Sequence, residues 1–433
     1  MAGELNLRVL LGRPRVPVLS SEQLVYALVE LRPTATATAA TLPLNLSLVL
    51  DRSGSMRGAK IERLREAVLA VLQGLQAQDT LSVVAFNNKA RVLVPSQAAT
   101  EAGKAAISAE ILRLSADGGT NMAPAMEAAL RELWQRVGPQ TDGAGEGGAT
   151  RAMNPAVTRM LLLTDGITEK EKRCLEQADA ARTMGVPIVA LGIGRDWNDK
   201  LLETIGERSG GSADYVRNAD DIPRHFQRTV QQMQAVALTD AQLDVRNALA
   251  VTCRTIFRVH PLISRLTTGA ADPAGRSLSA PLGEIAQGHG QTLLLELVVP
   301  PRPVGSYRVA QVAVTYQAGS AARETVAADV LLEYSADPTV LREADPAVMN
   351  LVEKVTAFKL QTAALADLEA GNLPAATGKL QNALTRLLNQ GDVELAATVQ
   401  AELANLEKGR TMTPEGRKTI RFASGQTVRL DKL

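Results

Sequence analysis

One pattern limits the folds open to this chain more than any other. Between about residues 43 and 234, short apolar runs take turns with stretches whose apolar residues recur every three or four positions. LNLSLVL (44–50), TLSVVAF (80–86), VTRMLLLT (157–164) and VPIVALGI (186–193) are near-continuous apolar runs of strand length. Such runs suit strands buried on both faces. Ile61, Leu64, Val68, Leu72 and Leu75 mark a helix over 59–77. Helical spacing returns near 101–113, 122–136, 169–184, 198–208 and 220–234, while ARVLV (90–94) and ADYV (213–216) add shorter strands. The alternation predicts βαβ units: an α/β fold with a doubly wound, mostly parallel sheet covered by helices on both faces.

The flanking segments follow other periods. Residues 4–11 and 22–31 alternate apolar with polar, as strands of a half-buried sheet do. From 238 to 335 the helical period is lost, and alternating runs such as QTLLLELVVP and YRVAQVAVTY are separated by Pro, Gly and Asp. That is a β-sandwich by size and pattern. The early strands have no partners of their own, so they are expected to join this sandwich, making the α/β region an insertion. The helical period resumes at 341, with Gly371-Asn372 and Gly391-Asp392 as turns. The expected order is N-terminal sandwich strands (1–40), the α/β domain (42–235), the β-sandwich (236–336), C-terminal helical hairpins (340–410) and a basic tail (411–433). Within the tail, RKTIRFASGQTVRL (417–430) reads as two short strands around Ser424-Gly425. PTATATAA (33–40) reads as a linker or edge strand, and GPQTDGAGEGG (138–148) as a flexible insertion away from the carboxyl ends of the strands. Asp142 and Glu146 within that insertion read as solvated charges.

Composition removes several functions. Forty-seven Lys and Arg stand against 46 Asp and Glu, so the basic excess of a nucleic-acid-binding protein is missing. Aromatic residues make up 3% of the chain, too few for base-stacking platforms. Three His and two Cys exclude a Cys/His zinc finger, and His225, His260 and His289 share no ligand spacing. Cys174 and Cys253 fall in different elements, which implies no disulfide framework. The first residues lack the basic start of a secretion signal, and no run reaches the 18 or so apolar residues that span a bilayer. A cytoplasmic protein with no membrane or nucleic-acid partner is expected.

The chemistry concentrates in LSLVLDRSGSM (46–56). A buried strand ends at Asp51, and Ser53 and Ser55 follow on a turn that Gly54 permits. These oxygens stand at the carboxyl end of a central strand, where open α/β sheets bind ligands. Oxygen ligands alone suit a hard cation, Mg²⁺ or Ca²⁺ (or Mn²⁺). GGT (118–120) sets Thr120 ahead of a helix, and LLLTDG (161–166) ends a second buried strand at Asp165. The set Asp51, Ser53, Ser55, Thr120 and Asp165 resembles the von Willebrand factor type A domain with its metal-ion-dependent adhesion site, D-x-S-x-S…T…D. The wider layout is similar to bacterial proteins related to inter-alpha-trypsin inhibitor heavy chains.

The resemblance implies that Ser53 and Ser55 ligate a divalent cation directly, that Thr120 does so in the high-affinity state, and that Asp51 and Asp165 act largely through water. It also implies a sixth ligand, an Asp or Glu carboxylate from a protein partner. Arg52, Met56, Arg57, Asn87, Asn88, Asn121 and Met122 are candidate rim residues, although each reads first as ordinary surface. Asp117 reads as a turn residue before Gly118-Gly119. The expected function is therefore a non-enzymatic, cation-dependent protein-binding scaffold or accessory subunit. No G-x-x-x-x-G-K-[ST] loop occurs, so ATP hydrolysis is not expected. The alternatives are a Mg²⁺-dependent hydrolase at the same site and a scaffold that binds through its helical tail around a structural metal. A further option is autoinhibition, with a Glu of the chain's own tail or of a neighbouring molecule capping the cation.

Overall fold

The chain opens with three strands that find partners far along the sequence. β1 (Leu5–Leu11) pairs antiparallel with β3 (Gln23–Pro33), from Leu5 opposite Pro33 to Leu11 opposite Ala27. The other edge of β3 bonds to Gln291–Val299, with Gln291 opposite Leu31 and Val299 opposite Gln23. The short β2 (Arg15–Pro17) lies parallel to the end of a still later strand. The structure, a computed structural model, describes residues 4–34, 42–137, 156–194, 197–270, 276–288, 290–319, 322–337, 339–340, 343–409 and 411–425. It divides into two units, Thr41–Val236 and Met1–Ala40 with Ala237–Leu433. The insertion expected at 138–148 and His289 lie outside the described residues, as do most of 33–40.

The first unit holds β4 (Leu44–Asp51), β5 (Thr80–Phe86), β6 (Ala90–Ala98), β7 (Val157–Thr164), β8 (Ile188–Ile193) and β9 (Ser212–Val216). Their order in the sheet is β6-β5-β4-β7-β8-β9, with only the β5–β6 pair antiparallel. Every residue of β4 and β7 is buried. That follows from the unbroken apolar runs, which need helices on both faces. Six helices provide them: α1 (Ala59–Gly74), α2 (Glu101–Leu112), α3 (Ala123–Val137), α4 (Glu171–Thr183), α5 (Asp199–Ser209) and α6 (Ile222–Gln234). Leu46, Leu48 and Leu50 pack with Leu64, Val68 and Leu72 of α1 and Phe226 and Val230 of α6. α3 packs on the opposite face across β4 and β5. The strand after β4 lies on one side of it and β7 on the other. Strand order reverses at β4, beside the carboxyl ends Asp51 and Thr164.

The second unit adds β10 (Val236–Asn247), β11 (Thr252–His260), β12 (Ser264–Arg265), β13 (Gly269–Ala270), β14 (Ser277–Ala286), β15 (Gln291–Val299), β16 (Gly305–Gln317) and β17 (Glu324–Ser335). They form sheets ordered β1-β3-β15-β11-β12 and β13-β14-β10-β16-β17-β2. Side chains such as Val29, Leu295, Leu243, Val312 and Leu332 fill the core that the two sheets share. The N-terminal strands thus complete the sandwich, and the α/β domain is inserted between β3 and β10.

α7 (Pro346–Glu369) lays Val348, Leu351, Val352 and Val355 on Leu28, Phe257 and Leu294 of the five-stranded sheet. α8 (Leu373–Asn389) and α9 (Val393–Glu407) follow. Gly371 and Gly391 end their helices at φ 77° and 74°, and Asn372 and Asp392 cap the next ones. The tail departs from expectation. Residues 414–423 are a helix, α10 (Pro414–Ala423), instead of a strand. The Thr413 hydroxyl accepts from Gly416 N and Pro414 starts the helix, a capping arrangement that overrides the local alternation. The second expected strand falls largely outside the described residues. Among those residues, no helix is long and apolar enough to cross a membrane.

Candidate metal centre

The D-x-S-x-S segment folds as its residue types require. Asp51 is the last residue of β4, and its Oδ1 accepts from Ser53 N at 2.8 Å, a local turn of the kind Asp favours. The other oxygen, Oδ2, accepts from Thr164 Oγ1 at 2.6 Å. Ser53 Oγ lies 3.0 Å from Ser55 Oγ. Ser55 Oγ in turn donates to Asp165 Oδ1 at 2.7 Å. Met56, fully buried, inserts into the core beneath the loop and anchors it. Four of the five sequence-marked residues thus form one connected polar chain at the end of the sheet.

Thr120 is brought to the same place by its loop. Gly54 N donates to Gly118 O at 2.9 Å, and Asp117 N to Arg52 O at 2.8 Å, which stitches residues 117–120 to the serine turn. Gly118 has φ 76°, a conformation side chains resist, and a Cβ there would stand 2.5 Å from Asn88 Oδ1. Gly166 sets the approach of Thr120 directly, because a Cβ on it would lie 3.1 Å from Thr120 Oγ1.

Burial raises the Asp51 carboxyl above its ordinary range, against the opposing hydrogen bonds from Thr164 and Ser53, and the nearby Asp165 charge adds to the rise. Asp165 is also enclosed, with its side chain fully buried. Two carboxylates therefore share a desolvated corner lined by hydroxyls. Among the described residues there is no group of three or more His, Cys, Asp or Glu able to hold a metal ion. A cation in this corner would be held by two carboxylates and the Ser53, Ser55 and Thr120 hydroxyls, an oxygen-only donor set that fits a hard divalent ion.

The candidate rim changes with the structure in hand. Met56, Met122 and Asn87 are buried and build the loops from below. Arg52 is ion-paired to Asp117, and Asn87 Nδ2 donates to the same Asp117 oxygen at 2.9 Å. Asp117 is thus a clamp between two loops. Asn88 accepts from Gly119 N at 2.6 Å. Arg57 and Asn88 remain exposed, and Asn121 is half-buried. Ile167, not singled out by sequence, is 65% exposed two residues past Asp165, which makes it an apolar rim element.

Sequence reading also passed over Thr164 and Lys60. Thr164 precedes Asp165 and turns back to Asp51. Lys60 reaches from the first turn of α1 to Asp165 Oδ2. A cation in that turn opposes the helix dipole, and this is the signal that could have drawn attention to it.

Comparison with known proteins agrees with this architecture. Residues 45–232 match the model of the von Willebrand factor type A domain, and residues 346–430 that of the Sll0103-like, C-terminal alpha-helical domain. The uncharacterized protein sll0103 of Synechocystis is 28% identical over 394 residues, which cover 89% of each chain. Human inter-alpha-trypsin inhibitor heavy chain H4 is 28% identical over 228 residues, 51% of this chain but 23% of that protein. The solved von Willebrand factor type A protein of Catenulispora acidiphila superposes with a TM-score of 0.76 over 98% of this chain and 97% of its own, at 17% identity, a likeness of fold. Residues 45–232 are therefore a von Willebrand factor type A domain, by the family model and by fold.

Proposed function

We propose that this chain is a cation-dependent protein-binding scaffold, in which a divalent ion at the end of β4 and β7 accepts an Asp or Glu carboxylate from a protein partner. Type A domains generally serve as interaction modules. The observation that carries the reading is the convergence of Asp51, Asp165 and three hydroxyl residues at the point where strand order reverses. Ser53, Ser55 and Thr120 supply neutral oxygens, which leave most of the charge on a dication. Asp51 and Asp165 orient the site from buried positions. A cation so held attracts an anionic ligand, and the exposed Ile167 and Arg57 offer the surface that selects which carboxylate docks. A hydrolase would need a nucleophile or base beside the ion, yet the hydrogen bonds of Asp51 and Asp165 are already directed at the loops that build the site.

Calorimetric titration with Mg²⁺ and Mn²⁺ tests this directly. Wild-type chain is expected to bind one ion and to melt higher with Mg²⁺ than with EDTA, while Thr120→Ala weakens both responses. Partner capture should follow the same dependence. Capture that survives EDTA and Ser53→Ala would instead place recognition on the helical tail. Turnover of a generic phosphate ester, lost in Asp51→Ala, would favour the hydrolase.

A further inference from the structure

Lys60 gives the proposed site a property that the five sequence-marked residues alone would lack. Its ammonium bonds to Asp165 Oδ2 while Ser55 holds Oδ1, so both oxygens of this buried carboxylate are engaged and one engagement carries a full positive charge. The side chain comes from the first turn of α1 (Ala59–Gly74), where a cation is unfavourable for the helix and needs a nearby anion to offset it. Lys60 runs beside Gly194, the residue after β8, where even a Cβ would stand at an ordinary contact distance of 3.9 Å from the ammonium. Of the other cations on these loops, Arg52 is matched by Asp117, and Arg57 is exposed, its Nε donating to Ala116 O at 3.4 Å. The corner therefore holds two carboxylates against one ammonium, a net charge of about −1.

We infer that Lys60 is a charge-setting residue that trades cation affinity for carboxylate affinity. With Lys60 in place, a bound dication brings the corner to about +1, and an incoming carboxylate meets net positive charge. With a neutral residue at position 60, the corner carries about −2, grips a dication harder, and is then about neutral toward the carboxylate. Lys60 repels the metal ion and attracts the partner's anion, so its two effects have opposite signs. A residue that merely supported the fold would weaken both affinities together.

This inference rests on the proposed function, and its test keeps the two apart. Mn²⁺ affinity is read from the free-ion electron spin resonance signal. Carboxylate affinity is read by titrating the Mn²⁺-loaded protein with acetate and following water-proton relaxation as metal-bound water is displaced. Lys60→Met is expected to bind Mn²⁺ about tenfold more tightly and acetate about tenfold more weakly than wild type. Lys60→Gln, which keeps a hydrogen-bond donor without the charge, should behave as Lys60→Met does. If both affinities fall together, or if Lys60→Gln matches wild type, the charge-setting role is overturned while the cation site stands. If wild type binds no Mn²⁺, the proposed function fails and this inference with it.

Discussion

Two buried carboxylates in this molecule have nearly the same partners and serve different ends. Asp165, beside the end of β7, receives one lysine (Lys60) and one hydroxyl (Ser55). Glu296, on β15 of the sandwich, receives Lys359 of α7 at 2.9 Å and the hydroxyl of Thr255 on β11. Glu296 is 7% exposed and Asp165 1%. Partner lists alone would not separate them. The surroundings do, because Glu296 and Lys359 are charge-matched and join helix to sheet, while Lys60 pairs with Asp165 and the nearby Asp51 is held by Ser53 and Thr164. One negative charge is left over in a corner that also collects three hydroxyls. Surplus buried charge, more than burial or hydrogen bonding, sets a candidate cation site apart from a structural ion pair.

The strongest way to break this comparison is to remove each lysine in turn. Lys359→Met leaves Glu296 buried beside Thr255 alone, and we expect a loss of about 2 kcal/mol in urea unfolding, moderated because Lys359 is partly exposed. Added Mg²⁺ should not restore it. Lys60→Met should destabilise the EDTA-treated protein and recover when Mg²⁺ is added, because the dication takes over the neutralising role. Equal, Mg²⁺-insensitive losses at both positions would mean that the two carboxylates are alike after all.

A smaller effect isolates the hydroxyl side of the difference. Gly166→Ala would push a methyl to about 3.1 Å from Thr120 Oγ1, tighter than such contacts normally stand, so Thr120 must retreat. About 1 kcal/mol of cation binding, or roughly fivefold in Kd, is expected to go with it. Unfolding in EDTA should change by less than that. Titration calorimetry beside a denaturant melt separates the two, and an unchanged Kd would remove Thr120 from the site.

The legible and illegible parts of this comparison divide by distance along the chain. The strands around the site were readable because runs such as LNLSLVL carry their burial in their composition, and Asp51, Ser53 and Ser55 sit within five residues of one another. Thr120 and Asp165 were readable through the glycines beside them and the strand before Asp165. Thr164 was not, because what marks it is the carboxylate it meets across the sheet end, and Lys60 carried only one local mark, a cation in the first turn of a helix, with its carboxylate again across the sheet end. α10 was misread for the opposite reason. A clear local signal, Thr413-Pro414-Glu415, stood in the sequence, but the alternation in the following residues outweighed it. Glu402 of α9 then accepts from Thr413 N at 2.9 Å, a contact that fixes the helix start from outside the tail.

The smallest effect comes from Cys253, which shares the surroundings of Glu296 and so reports on the structural half of the comparison. Burial, followed by the Glu296 charge, pushes its thiol up to about 12, and burial pushes Cys174 to about 11. At pH 8 the thiolate fraction of Cys253 should be on the order of one in ten thousand, so native protein should react with a disulfide reagent only as fast as it unfolds. The sign for stability follows from which state keeps its protons. The fold holds both thiols protonated where the unfolded chain begins to release protons, near pH 9, so stability should fall as pH rises from there toward 11 to 12. Glu296→Gln removes the lesser of the two causes at Cys253 and leaves burial, so the ionisation of the native thiol, followed by its thiolate absorbance against pH, should move down only slightly. A large downward move would show that the Glu296 charge is felt well beyond Lys359. The ion pair would then not be matched, and the distinction drawn between it and Asp165 would fail at its structural end.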